Sequence, residues 1–372
     1  MRVRAPAVPG RVVIGVCVWA GVVFGAGAGG AGRLAQAESE TPYILDDPPA
    51  PAPAPAVRLR AAGDLAFSWQ VGEAVATTDF DPFAALKGAL GDADISFANL
   101  ETVLSKAPAP RGVVERPGVP LIRGAARAAD LAAKAGIDVV SVANNHAFDF
   151  GAAGLKDTLA EVARVGVVAI GAGPSADVAA RPHIVSVRGL RVGMLALAEK
   201  SNHPANGKAA LHKLTAAEAA IRALRSQVDV VVVSVHWGVQ YQLKPTKKQI
   251  ALAHAMIDAG ADAIIGHHPH VLQTIEAYQG KPIFYSLGNF VFGTQPMPRR
   301  LSAIVELELE IGPRHVVRAT VLPVVLSGER GSPTVSLGPE GDDVRARLRE
   351  ASAKGAFTER AGMLDLVLRP PR

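Results

Sequence analysis

This 372-residue chain holds one cysteine, Cys17, and that cysteine sits in the middle of an apolar N-terminal run. If the run is removed, no thiol remains, so disulfides and zinc–thiolate sites are excluded and a packed core has to supply stability. Cys17 is followed by Val18 and Trp19, which does not suit a lipid-attachment site. The chain also lacks a strong charge of one sign. Residues 1–37 carry Arg2, Arg4, Arg11 and Arg33 and no acid, which leaves about +1 of the formal +5 for the remainder. A near-neutral domain gives no electrostatic reason to expect a nucleic-acid partner. No internal repeat is present.

Nor is there a long apolar run. The uncharged stretch from Val12 to about Phe24 is short for a membrane span, and Ala35-Gln36-Ala37 has the form of a cleavage site. Basic residues, a short apolar core and small residues before the cut describe a secretory signal over 1–37. If the Ala/Gly stretch extends the core, the alternative is an uncleaved anchor. Either reading predicts an exported protein, periplasmic or extracellular. Residues 38–56 end in alternating Pro and Ala, the composition of a semi-rigid polyproline II spacer. The main domain is expected over 57–325, with 326–372 a less regular extension holding one helix near Asp342–Ala353.

Within 57–325, β-branched runs alternate with Ala-rich helical patterns. Strands are expected at Val57–Ala62, Ile95–Ala98, Asp138–Ala143, Val167–Ile170, Val228–Val235, Ala263–Ile265 and Ile283–Ser286. His183–Val187 and Arg191–Leu197 read as an antiparallel pair. Helices are expected from Asp81-Pro82 to about Leu90, and at Ala125–Ala135, Gly154–Val165, Thr215–Ser226 and Lys247–Ala259. Val305, Leu307, Leu309 and Ile311 alternate with glutamates, the period of a strand wet on one face, and Val316–Val325 is its expected partner. Parallel βα units followed by antiparallel strands predict an α/β fold of two packed sheets with helices outside.

Five polar clusters fall directly after expected strands: Gly63-Asp64, Asn99-Leu100-Glu101, Asn144-Asn145-His146 with Asp149, His236-Trp237-Gly238, and Gly266-His267-His268-Pro269-His270. Loops beyond the carboxyl ends of strands form the ligand crevice of open α/β sheets. Five of the ten histidines lie in these clusters. Carboxylates, an amide oxygen and imidazoles suit Mn, Fe or Zn better than Ca, and two such cations can clamp a phosphoryl group. Proline after His268 predicts extended geometry there, with His268 and His270 projecting from one face as ligands and His267 turned away or supporting them. Asp149 either assists His146 or caps the next helix. His254 reads as a helix-face or core residue, and His183 and His212 as surface residues. Lys200, Asn202 and His203 sit in a loop after Leu197 that either reaches a substrate or is plainly exposed. Arg123 either meets an anionic substrate or is solvated.

Three stretches carry a resemblance. They are Ala135-Gly136-Ile137-Asp138-Val139-Val140-Ser141-Val142-Ala143-Asn144-Asn145-His146, Ile265-Gly266-His267-His268-Pro269-His270-Val271-Leu272-Gln273, and Phe284-Tyr285-Ser286-Leu287-Gly288-Asn289-Phe290. With them the chain resembles the bacterial capsule-synthesis family CapA, named for poly-γ-glutamate capsule formation, from about Arg58 to Phe292. That family is similar to the calcineurin-like metallophosphoesterases, which implies a four-layer α-β-β-α sandwich with a two-metal site. The resemblance implies Asp64, Glu101, Asn145, His236, His268 and His270 as metal ligands, with Glu101 bridging. It implies His146 as the imidazole that stabilises the transition state or protonates the leaving group. Asn99, Asn144, His267, Arg123 and Asn289 are expected to support the ligands or meet substrate. The pattern departs at Ala66, where those phosphoesterases carry a histidine, and at Asn99-Leu100-Glu101, which replaces a Gly-Asp bridging motif. The expected activity is metal-dependent hydrolysis of an anionic or polymeric envelope substrate, alongside membrane-bound polymer-synthesis machinery. The alternative is a non-catalytic accessory or polymer-binding protein.

Overall fold

The computed structural model describes residues 56–368 apart from 87, 112, 114–118, 206, 294 and 313–314. The expected signal and most of the spacer lie outside the described residues. Among those described, no helix is long and apolar enough to cross a membrane.

Two sheets face each other. The larger has ten strands, and its path runs Phe357–Arg360, Met363–Leu366, Val316–Ser327, Leu301–Leu309, Val57–Leu65, Ile95–Leu100, Val139–Ser141, Val168–Ile170. The smaller has six, in the order Ile275–Tyr278, Lys281–Phe284, Ala263–His267, Val230–His236, Leu190–Ala198, His183–Val187. Strand alternation sends neighbouring residues to opposite faces, and this sorts the core into three layers. Leu59, Ala61, Phe97 and Val139 of the larger sheet meet Met194, Ala196, Val230, Val232 and Ile265 of the smaller. On the outside of the larger sheet, Ala62, Leu65 and Val140 pack on Val71, Leu131 and Leu155 of the helices Trp69–Thr77, Arg127–Lys134 and Gly151–Arg164. Val231, Val233 and Val235 pack outward on Ile221, Leu224, Met256 and Ile257 of the helices Ala217–Arg225 and Lys247–Asp258. The result is a four-layer α-β-β-α sandwich. Val230–His236 is buried along its whole length, which explains its uninterrupted apolar sequence.

The antiparallel pairs are in place. His183–Val187 pairs with Leu190–Ala198, and Leu301–Leu309 pairs with Val316–Ser327. The alternating strand ends at Leu309, so Ile311 lies outside it and is exposed. The expected boundary at 325 falls inside Val316–Ser327. Beyond it, Ser332–Val335 and Met363–Leu366 pair with that same strand, and Val344 and Leu348 of the helix Asp342–Ala351 enter the core between the sheets.

One expected helix needs correction, and one helix was not expected. The helix from Asp81 to Leu90 is only a 3-10 turn, Ala84–Leu86. Asp81 caps locally, accepting from Phe83 N at 3.0 Å, but Gly88 adopts φ +86°, a left-handed geometry that ends the run. The helix Trp69–Thr77 was not foreseen, because nothing in Trp-Gln-Val-Gly-Glu-Ala-Val-Ala-Thr resembles a capped start.

Two glycines let the site strands approach other backbone. A Cβ on Gly63 would lie 2.2 Å from Gly288 O, and one on Gly266 would lie 2.1 Å from Tyr285 O. Each immediately precedes a site residue, Asp64 or His267. Gly63→Ala should therefore destabilise the chain by about 1–3 kcal/mol through overpacking. Urea unfolding measures this, and an unchanged midpoint would show that the 287–288 backbone gives way freely.

Candidate metal centre

Strand register assembles the site. Asp64 is paired with Asn99 on one side and Asn289 on the other. In the smaller sheet, His236 is paired with His267. Asp64, Asn99, His236 and His267 stand at or near the carboxyl ends of parallel strands, Asn289 opens the short strand Asn289–Val291, and the two sheets bring these positions together. Asp64, Asn99, Glu101, Asn144, Asn145, His146, Asp149, His236, His267, His268, His270 and Asn289 are all buried.

Two groups of potential ligand atoms lie within 4.8 Å of one another: Glu101, His236 and His268, and Asp64, Glu101 and His270. Glu101 belongs to both. Its Oε1 is 3.5 Å from His236 Nε2, 3.8 Å from His270 Nε2 and 3.9 Å from His146 Nε2. Neither carboxylate oxygen of Glu101 has a hydrogen-bond partner among the described residues, although both are buried. His236 Nε2 is 3.0 Å from His268 Nδ1 and 2.7 Å from Asn145 Oδ1, so amide, imidazoles and carboxylate converge.

The remaining polar atoms orient that set. Asp64 Oδ1 lies 2.9 Å from His267 Nδ1 and accepts from Asn99 Nδ2 at 2.9 Å, while Oδ2 lies 3.4 Å from His270 Nδ1. His267 thus faces Asp64. Asn289 Oδ1 is 3.0 Å from His270 Nδ1 and steers that ring. Asn144 shapes the turn, donating to Leu100 O at 2.8 Å and accepting from His146 N at 3.1 Å. Asp149 Oδ2 lies 2.7 Å from His146 Nδ1 and accepts from Ile122 N at 2.7 Å. Asp149 makes no cap for the helix Gly151–Arg164, which starts from Phe150 without a side-chain cap.

Electrostatics follow from burial. Burial would raise Asp64, but hydrogen bonds and charge from His267 and His270 outweigh it and hold Asp64 well below the usual carboxylate range. Glu101 has no such donors. Burial, then the charges of Asp64 and Asp149, push it well above that range. Burial holds His236 well below the usual imidazole value, with His268 adding to the effect. His268 is depressed to about 3 by burial, then by His270 and Lys200. Neutral imidazoles around a carboxylate without donors form a ligand set for a divalent cation.

Several sequence expectations are corrected. His268 and His270 do not come from an extended segment: their φ values are +96° and +58°. The rings reach the site from two left-handed turns, a strained geometry of the kind found at functional sites. Arg123 does not face the cluster. Its guanidinium donates to Ser105 O and Ala107 O and stacks 3.8 Å from the Phe150 ring centroid, tying down the 105–107 loop. The loop after Leu197 is not plainly exposed. His203 is buried with Nε2 3.8 Å from Asp149 Oδ1, and Asn202 places Nδ2 3.4 Å from His146 Nε2. His212 is buried too, because its backbone bridges Gly171 and Ala198. The apolar strand Leu190–Ala198 ahead of this loop was the usable signal, since it too ends at the crevice.

A four-layer α-β-β-α protein with a buried carboxylate–imidazole cluster at its strand ends is the class that fold and site define. Within it, the chain belongs to the bacterial capsule synthesis protein family PGA_cap, whose model matches residues 58–294. It is similar to the PGA biosynthesis protein CapA of Bacillus subtilis (strain 168), 40% identical over 200 residues, or 50% of this chain and 53% of that protein. It is also similar to the capsule biosynthesis protein CapA of Bacillus anthracis, 36% identical over 237 residues, or 60% and 56%. The chain thus spans about half the length of the curated relatives it matches. A 5'-nucleotidase from Candida albicans SC5314 is a distant structural neighbour, with 10% identity and a TM-score of 0.43 over 80% of this chain and 58% of that one.

The raised Glu101 makes a pH prediction for chelated protein. A carboxyl raised in the folded state holds its proton more tightly there than in the unfolded chain. Its ionisation therefore opposes folding increasingly as pH climbs from the ordinary carboxylate range to the raised value, by about 1.4 kcal/mol per pH unit while it titrates. Without metal, Glu101→Gln should be the more stable chain at neutral pH, with a gap that widens as pH rises. With a divalent cation added, the order should reverse. Thermal melts across pH test this, and equal pH slopes for the two chains would contradict it.

Proposed function

We propose that this chain is an exported, metal-dependent hydrolase of the phosphoesterase kind, acting on an anionic or polymeric envelope substrate in capsule polymer synthesis, release or anchoring. The observation that carries this reading is Glu101, a buried carboxylate with no hydrogen-bond partner among the described residues, central to two groups of ligand-type side chains. Asp64, Glu101 and His270 would hold one divalent cation, and Glu101, His236 and His268 a second, with Asn145 beside the second. Mn, Fe and Zn suit the mixed oxygen and nitrogen donors. Such cations supply Lewis acidity, neutralising charge on a phosphoryl or carbonyl oxygen and making water a better nucleophile at neutral pH.

The protein's own side chains set up the rest. Asp149 fixes the His146 ring through Nδ1, which leaves Nε2 facing the cluster. From there His146 can stabilise charge on the reacting group or hand a proton to the leaving oxygen. His267 and Asn99 lock the Asp64 carboxylate, and Asn289 locks the His270 ring. Burial of the whole set strengthens each charge interaction.

Ala66 favours a second reading, a non-catalytic accessory of membrane-bound polymer-synthesis machinery. Ala66 is fully buried in an apolar patch with Ile122, Phe292 and Leu326, where a phosphoesterase-like histidine is missing. His270 offsets that loss, because it places an imidazole nitrogen beside Asp64.

Elemental analysis of the purified full chain should find Mn, Fe or Zn at near-stoichiometric levels, and the chain should turn over an aryl phosphate or phosphodiester. Glu101→Ala should lose the metal. His146→Ala should keep it and lose roughly a hundred- to ten-thousand-fold in kcat. A folded chain without metal would overturn the hydrolase reading. A metal-loaded chain that leaves every ester intact would favour the accessory reading.

A further inference from the structure

Beside the cluster lies a cavity of about 250 Å³ whose lining includes Asn145, His268, Asn202, Gly238 and Lys200. It shares Lys200 and Asn202 with a second cavity of about 710 Å³, which is lined by the loop after Leu197 and by Phe148, Leu211 and Lys213. Together they form a path from the ligand histidines outward along one loop. His268 marks its inner end, and Asn202, whose amide contacts His146 Nε2, stands beside it.

The charged residues that line the two cavities are Lys200, Lys213 and Glu199. Lys200 is exposed and lines both cavities. The adjacent acid, Glu199, is already committed: Oε2 accepts from Gly238 N at 2.9 Å and Oε1 from Lys248 Nζ at 2.6 Å. Among the described residues, no carboxylate lies within ion-pair distance of the Lys200 ammonium, and the smaller cavity is lined by no acid. The loop that carries Lys200 is held in position, because Asn202 N donates to Asn145 O at 2.8 Å and Ser201 Oγ to His203 O at 2.6 Å. An exposed ammonium on an anchored loop, lining the same cavity as His268 and beside a carboxylate already engaged by Gly238 and Lys248, is able to receive an oxyanion.

We propose that these two cavities are the substrate channel for an extended anionic chain, and that Lys200 is a specificity residue holding an oxyanion of that chain next to the group that reacts. The proposal rests on the hydrolase reading for which bond is cut, but not for binding. The oxyanion is a carboxylate or a phosphate, both of which a point-charge ammonium accepts.

The test measures binding to the full chain by calorimetry, using an oligoglutamate, an oligophosphate and an uncharged oligoglutamine of equal length, with metal content measured in parallel. At least one anionic probe should bind, and binding should weaken with salt. Lys200→Gln should lower that affinity about tenfold, while Lys200→Arg restores most of it. Which probe responds identifies carboxylate or phosphate as the recognised group. Anionic binding that is equal in wild type and Lys200→Gln, or a matching loss for oligoglutamine, would overturn the proposal. So would failure of both anionic probes to bind the wild-type chain. Lys200-dependent binding by a chain that holds no metal would keep the channel and remove the hydrolase reading. Loaded metal with Lys200-independent binding would do the reverse.

Discussion

Burying a carboxylate without donors is among the more costly things a folded chain does. Glu101 is such a group, with its backbone tied to Leu65 O at 2.9 Å and its side chain ringed by imidazoles too far off for hydrogen bonding. Everything around it is arranged so that the carboxylate cannot escape. The strand Ile95–Leu100 is buried on both faces, the Asp64 strand lies on one side, and the smaller sheet closes the other. A divalent cation is the simplest partner that resolves this geometry, because it replaces several absent donors at once and stabilises the ionised form.

That requirement reaches back into the core. The cluster draws residues from both sheets, so the inter-sheet layer of Leu59, Ala61, Phe97, Val230, Val232 and Ile265 sets how far Asp64 and Glu101 stand from His236 and His268. Gly63 permits the close approach of the 287–288 backbone beside Asp64, and Gly266 the close approach of the neighbouring strand of its own sheet beside His267. Packing and chemistry are therefore not independent here. A core change that shifts one sheet against the other moves half of the ligand set relative to the rest.

Much of this is legible in the amino-acid sequence alone. The strands with apolar, β-branched runs were readable because burial on both faces leaves no room for polar residues. The five polar clusters were readable because each interrupts such a run at its carboxyl end. Less was readable where backbone geometry departs from local preference. Pro269 pointed to an extended His268, but tertiary contacts force left-handed turns at 268 and 270. Arg123 reads as either meeting a substrate or solvated, because sequence cannot show that the Ser105 and Ala107 carbonyls claim its guanidinium. The Lys200–His203 loop read as solvent-exposed because its polar composition is that of any surface loop, and only the fold shows it leaning on His146 and Asp149. The helix at 342–351 was foreseen, but its burial of Val344 and Leu348 between the sheets depends on partners far away in sequence.

We propose that cations would sit where Glu101 is shared between Asp64 and His270 on one side and His236 and His268 on the other. Anomalous diffraction from Mn-soaked crystals of the protein tests it most directly. The account predicts anomalous peaks within coordination distance of the Glu101 carboxylate, flanked by these ligands. Peaks at other surfaces only, with Glu101 protonated and bonded to a neighbouring side chain, would contradict it.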